Sequence, residues 1–311
     1  MEIAAMILTV LGLCLFETIS SIDNAIINAE VLSTMKEKYR KLFLLWGILI
    51  AVFLIRGALP WAIVWLTTPG IGPMEALTSA LSGDAEVIAA IEAASPVLLM
   101  AGGMFLVFLF FNWLFLEPKH YGLRGERALG RQGVWFYAVV SILLTVIVWQ
   151  AIKTNPLMAL GAVTGSTAFF IVHGFRQNAE IKEKEMLKGN MSDISKLFYL
   201  EVIDASFSID GVLGAFAFTL SVPLILLGNG LGAIVVRQLT VGNIENVKKY
   251  KYLKNGAMYS ILVLGSIMII DSFYPHLVAA WLSPVVTFII VGHFFRKSKN
   301  ELKSGSENGE K

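Results

Sequence analysis

Residues 3–24 read IAAMILTVLGLCLFETISSIDN, an apolar run that closes on two acids, Glu17 and Asp23. About 20 consecutive apolar residues suffice to cross a hydrocarbon core. A charge at the centre of such a span costs about 2.5–3.5 kcal/mol on insertion scales. The arrangement returns at residues 204–211, DASFSIDG, where Asp204 precedes Asp210 by six residues and the SID triplet ends the pair again. One acidic pair in an apolar helix is an oddity, but two with the same spacing point to a repeat.

The rest of the chain fits that reading. Of its 311 residues 56% are hydrophobic and 15% charged, with mean hydropathy +0.70, whereas soluble domains carry about 25% charged residues. The expected fold class is all-α, a polytopic membrane protein. Cys14 is the single cysteine, which excludes an intrachain disulfide and disfavours a cysteine-based metal site. The opening MEIAAMILTVLG lacks the basic region of a signal peptide and leads straight to Glu17, so it reads as a retained first span.

About nine transmembrane helices fit the hydropathy, near residues 3–32, 42–66, 96–116, 134–152, 157–175, 196–219, 222–240, 256–272 and 276–295. Basic residues mark the cytoplasmic ends of spans. Twenty-two of the 25 fall on alternate connections: Lys36 to Lys41, Lys119 to Arg131, Arg176 to Lys196, Lys248 to Lys254, and the tail from Arg296. The others are Arg56, Lys153 and Arg237. This alternation predicts a multi-pass protein of the cell membrane with the N-terminus outside and the C-terminus cytoplasmic. Residues 67–95 carry Glu75, Asp84, Glu86 and Glu92 without Lys or Arg; they read as an acidic outward loop, with a short surface helix over 84–95. Residues 297–311 read as a disordered tail.

Aligning Glu17 with Asp204 matches Ser21 to Ser208, Ile22 to Ile209 and Asp23 to Asp210. In the span after each motif, Gly47 lies nine residues before Arg56, and Gly228 nine before Arg237. Span one runs outside to inside and span six the reverse, so the repeat is inverted. The expected division is 1–117 for the first repeat, 118–195 for linking spans and a basic loop, 196–296 for the second repeat and last span, then the tail. Inverted repeats are the architecture of many secondary transporters, whose site lies near the midplane between them. On this frame Glu17 and Asp204 are central, with Asp23 toward the cytoplasm and Asp210 toward the outside.

The four acids would cost roughly 10–14 kcal/mol if left charged in lipid, so they must be paired, protonated, hydrated or bound to a cation. Arg56 and Arg237 could neutralise two in buried ion pairs, leaving two negative charges for a dication or two protons. Ser20, Ser21, Asn24, Asn28, Ser206 and Ser208 surround them. These are hard oxygen donors suited to Mn2+, Ca2+ or Mg2+. The expected metal set is therefore Glu17, Asp23, Asn24, Asp204, Asp210, Ser21, Ser208 and Asn28, with Arg56, Arg237 and Glu201 in charge pairing or gating. On a straight helix Glu17, Ser21, Asn24 and Asn28 share a face, while Asp23 sits about 120° round and about 9 Å along from Glu17. Either the helix unwinds around SSIDN so that both acids reach one ion, which is the preferred expectation, or the two acids serve different steps.

Other polar residues read as structural. Asp271 suits a solvated cap, His173 and His293 an interfacial position, and Glu30 an ion pair with a basic neighbour. The small-residue stretch GAVTGSTA (161–168) suits close helix packing. No HExxH, GxSxG or Ser/Lys arrangement stands out at membrane depth, so no enzyme is expected.

At its two motifs, ETISSIDNAIINAEVL and EVIDASFSIDGVLGAFAF, the chain resembles the TerC family of integral membrane proteins, in a longer branch of that family. The resemblance implies a relation to the LysE-type transporter superfamily and a role in metal-ion homeostasis, notably manganese export, with an older association with tellurite resistance. It assigns Glu17, Asp23 and Asn24 to the first acidic motif and Asp204 and Asp210 to the second. Asp at 204 and Gly at 211 depart from the first copy. The leading expectation is thus an exporter of a divalent cation, Mn2+ ahead of Ca2+ or Mg2+, in exchange for protons and with no cofactor. Its partners would be that ion, protons and the lipid bilayer; nothing points to nucleic acid, and a homo-oligomer is compatible. The competing expectations are a non-transporting membrane scaffold or assembly factor, and a LysE-like exporter of small organic solutes.

Overall fold

The computed structural model describes residues 3–48, 56–68, 70–74, 85–187, 191–242 and 244–307, Arg56 by its backbone alone. Among the described residues thirteen helices follow in order: α1 Ile3–Ser20, α2 Ile22–Ser33, α3 Glu37–Ile48, α4 Arg56–Thr67, α5 Ala85–Leu116, α6 Glu126–Gly130, α7 Trp135–Thr154, α8 Pro156–Leu187, α9 Asp193–Ala215, α10 Val222–Gly242, α11 Ile244–Lys248, α12 Leu253–Phe273 and α13 Leu282–Glu307. No strand occurs among the described residues.

Among the described residues six helices are long and apolar enough to cross a membrane: α1, α5, α7, α8, α10 and α12. Of the three other expected spans, 42–66 lies partly outside the described residues. The remaining two fall in α9 and α13, and charge sets them apart. Within one span length α9 carries Glu201, Asp204 and Asp210, and α13 carries Arg296, Lys297 and Lys299. The acids of α9 are tolerated because they lie on its covered face, against which α1, α2, α3, α4, α5, α8, α10 and α12 pack, while Ile194, Phe198 and Val202 face outward. By contrast α7 turns Ile142, Val146, Trp149 and Ile152 outward, as a lipid-facing helix would. The separate surface helix expected over 84–95 is not formed; residues from Ala85 run directly into α5, with Pro96 inside the helix.

Packing follows an exchange pattern. α1 lies on α10 and α13, whereas α9 lies on α3, α4 and α8; α5 and α12 pack on each other, backed by α8 and α13 respectively. Small residues allow these approaches. Gly161 and Gly165 abut Val97 and Ala101 of α5, and a methyl added at Gly103 would come within 2.8 Å of the Gly265 carbonyl oxygen on α12. Phe105, Phe108 and Phe136 gather around Phe169, the first two edge-on at ring-centroid distances of 6.0 and 5.8 Å.

The basic connections collect at one end of the bundle. Lys36 N donates to Asp193, Lys196 to Thr34, Lys248 to Glu30, and Lys251 to Glu301. Glu126, 1% exposed, ties the α5–α7 connection to α12 by accepting from Gly122 N at 2.7 Å, Asn255 at 3.0 Å and Tyr259 at 3.0 Å.

Candidate functional site

The first motif is broken at a single residue, Ser21, between α1 and α2. Ser21 departs from helical geometry (φ −92°, ψ 3°), but Ser21 N still donates to Glu17 O at 3.1 Å and Ala25 N to Ser21 O at 2.9 Å. The helix is interrupted at that one residue and resumes at Ile22. The second motif lies inside α9, which runs without interruption to Ala215. Glu17 and Asp23 therefore reach different places, as helical geometry demands of residues six apart.

Glu17 is fully buried. Its carboxylate accepts from the Ser21 hydroxyl at 2.8 Å. One side of it lies on Gly211 of α9, and a methyl added at Gly232 of α10 would come within 2.6 Å of its Cβ. The two glycines let three helices close around one acid, since any side chain there would occupy its place. Asn229, fully buried one turn before Gly232, donates to the Gly211 carbonyl at 3.3 Å.

A helical turn further along α2, Asn24 donates to the Asp204 carboxylate. Arg237 of α10 also holds Asp204, at 3.0 Å, and donates to the Phe43 carbonyl at 3.1 Å with its guanidinium over the Phe43 ring. Glu201 stands 3.8 Å from the same guanidinium nitrogen. Ser208 spends its hydroxyl on the Asp204 carbonyl at 2.7 Å, within its own helix. Asn28 is buried on the same face as Asn24. Asp210 pairs with Arg176 of α8.

Asp23 lies apart from this buried interface. Lys254, at the start of α12, bridges it at 2.7 Å and Glu117, at the end of α5, at 2.6 Å. These groups are about one-third exposed, and Asp23 and Lys254 open on a cleft of about 270 Å³ lined also by Lys119, Lys248 and Lys251. Burial pulls the Lys119 ammonium down to about 8, against the opposing pull of Glu126 and Glu117.

The expected metal residues thus divide. Glu17 and Ser21 form one group, Asn24, Asn28 and Asp204 a second beside Glu201 and Arg237, while Asp210 and Asp23 each sit in a separate ion pair. Ser208 points its hydroxyl at backbone, and the side chain of Arg56 lies outside the described residues. Among the described residues no three His, Cys, Asp or Glu side chains gather as a metal-holding group. The cations Arg176 and Lys254 and the acid Glu117 are additions the sequence reading left in basic loops or without a role. Asn229 had a legible signal, an amide between two glycines in an apolar span, one residue after the matched Gly228.

These features define an all-helical protein of membrane-spanning character with acids and arginines buried between its helices. The chain belongs to the family described as "Protein of unknown function (DUF475)", matched over residues 22–303. No curated protein and no solved structure matches it.

Proposed function

We propose that this chain is a membrane transporter of the TerC kind. It exports a divalent cation, Mn2+ ahead of Ca2+ or Mg2+, in exchange for protons, between two inverted repeats, with its N-terminus outside and its C-terminus in the cytoplasm. One observation carries the reading. Glu17 meets Gly211 and Asp204 meets Asn24, and each contact becomes the other when the motif copies are exchanged. That is the relation a two-fold axis in the membrane plane imposes. The exchange pattern among α1, α9, α10 and the helices beneath them supports the same relation. Alternating access then consists of one repeat rocking against the other, with buried carboxylates and amide oxygens available to a hard cation.

A second reading has support of its own. Asp23, Asp204 and Asp210 are each bonded to a Lys or Arg, which suits a non-transporting scaffold whose acids serve folding. Expression in cells without their own manganese exporters separates the two. Wild type is expected to lower cell-associated Mn, and Asp204→Asn and Asp210→Asn to abolish this beyond any loss of abundance, with activity expressed per protein in the membrane. If wild type lowers no metal, transport is refuted; if the variants lose abundance in proportion to activity, the scaffold reading prevails.

A further inference from the structure

We infer that Glu201 and Asn28 complete, with Asp204 and Asn24, a buried oxygen-donor site for a hard divalent cation between α2 and α9. This deepens the transport reading and rests on it for the cation's route.

The donation from Asn24 Nδ2 to Asp204 Oδ1 holds the amide oxygen of Asn24 beside that carboxylate. The oxygen is buried and accepts no hydrogen bond among the described residues. Asn28, one turn further along the same face and 4% exposed, has an amide oxygen in the same condition. α2 and α9 run antiparallel, from the contact of Asn24 with Asp204 to those of Thr34 with Lys196 and Lys36 with Asp193 just beyond the end of α2. One more turn along α2 and one turn back along α9 therefore bring Asn28 level with Glu201.

Neither carboxylate oxygen of Glu201 accepts a hydrogen bond among the described residues. Its nearest cation, Arg237 Nη2, is 3.8 Å away, too far for a hydrogen bond. That nitrogen is committed to Asp204, while Nη1 is committed to Phe43. One guanidinium thus serves two carboxylates and satisfies one. Two carboxylates and two amide oxygens on facing helix turns, with a single arginine against them, are the ligand chemistry of Mn2+ and Mg2+ and not of a soft metal. Arg237 is the resident counterion that the cation displaces from Asp204.

The test is a Mn2+ titration of the purified full-length chain in detergent, reading the thermal-unfolding midpoint. Wild type is expected to give a saturable rise. Glu201→Gln and Asn28→Ala should each weaken the apparent Kd at least tenfold, and Asn28→Asp, which keeps an oxygen donor and adds charge, should match wild type or bind more tightly. Glu92→Gln, on the exposed part of α5, should titrate like wild type. The inference is overturned if wild type gives no saturable response at millimolar Mn2+, or if Glu201→Gln and Asn28→Ala titrate like wild type. Where either of those two variants fails to give monodisperse protein, Asn28→Asp decides: weaker binding than wild type overturns the site. Binding that depends on Glu201 in a chain that lowers no cell metal would retain the site and refute transport. Loss of export in Asp204→Asn with unaltered binding in Glu201→Gln would do the reverse.

Discussion

The first motif carries Glu17 and Asn24 where the second carries Asp204 and Gly211, and the two differences offset each other across the helix pair. Glutamate is one methylene longer than aspartate, and Glu17 spends that length in reaching the bare backbone of Gly211. Asp204 is shorter, and Asn24 extends an amide to it from the opposite helix. A long acid facing no side chain and a short acid facing an amide fill the same register by different means. Gly211 is therefore a fitted partner of Glu17. The partners differ as well: Asp204 shares Arg237 with Glu201, and the Glu17 carboxylate accepts from the hydroxyl of Ser21, the residue between α1 and α2.

The largest expected effect lies in the second half. Arg237 and Asp204 are both more than nine-tenths buried. Removing one member of a buried ion pair leaves the other uncompensated, at about 3–5 kcal/mol. Arg237→Met is expected to lower unfolding stability in detergent by that order. Asp204→Asn/Arg237→Met together should recover part of it, because the stranded charge is gone. A double variant as unstable as Arg237→Met alone would mean that packing on Phe43, and not the charge, is what Arg237 supplies.

The compensated exchange can be broken directly. A methyl at Gly211 has no room beside the Glu17 carboxylate, and overpacking of this kind costs about 1–3 kcal/mol. Gly211→Ala should lose stability in that range, and Glu17→Asp/Gly211→Ala should recover at least half of it by withdrawing the carboxylate. The measurement is the thermal-unfolding midpoint of the two variants side by side. Equal midpoints would show that length and bulk are not traded between the copies.

Much of this arrangement is legible in the sequence, and its failures have specific causes. Hydropathy gives the helical membrane class because desolvation of backbone leaves few alternatives, and Gly161 and Gly165 mark the α5–α8 contact by their size. Arg176 is missed because charge alone suggests a helix end near residue 175, while α8 continues to Leu187 and carries the arginine alongside Asp210. Lys254 is missed for the related reason that a basic residue at a span boundary looks like an orientation signal and not a bridge. The expected unwinding at SSIDN assumed that Glu17 and Asp23 share an ion. In the structure Asp23 has Lys254 instead, and the helix is interrupted at Ser21 alone. Sequence spacing locates the acids along each helix; the partner each one meets depends on helices it does not adjoin in the chain.

The smallest expected effect tests the matched second acids, Asp23 and Asp210. By motif they are equivalent, yet Asp210 and Arg176 are only 11–12% exposed, whereas Asp23, Lys254 and Glu117 are 30–39% exposed beside the cleft. Solvent screens the second group, so Lys254→Met is expected to cost no more than about 1 kcal/mol, and less again at high salt because exposed pairs are screened within a Debye length. Arg176→Met should cost more and respond little to salt. Thermal unfolding of both variants at low and high ionic strength measures this. If Lys254→Met were as costly as Arg176→Met and equally indifferent to salt, Asp23 would be as dry as its counterpart, and the asymmetry between the copies would be confined to Glu17 and Gly211.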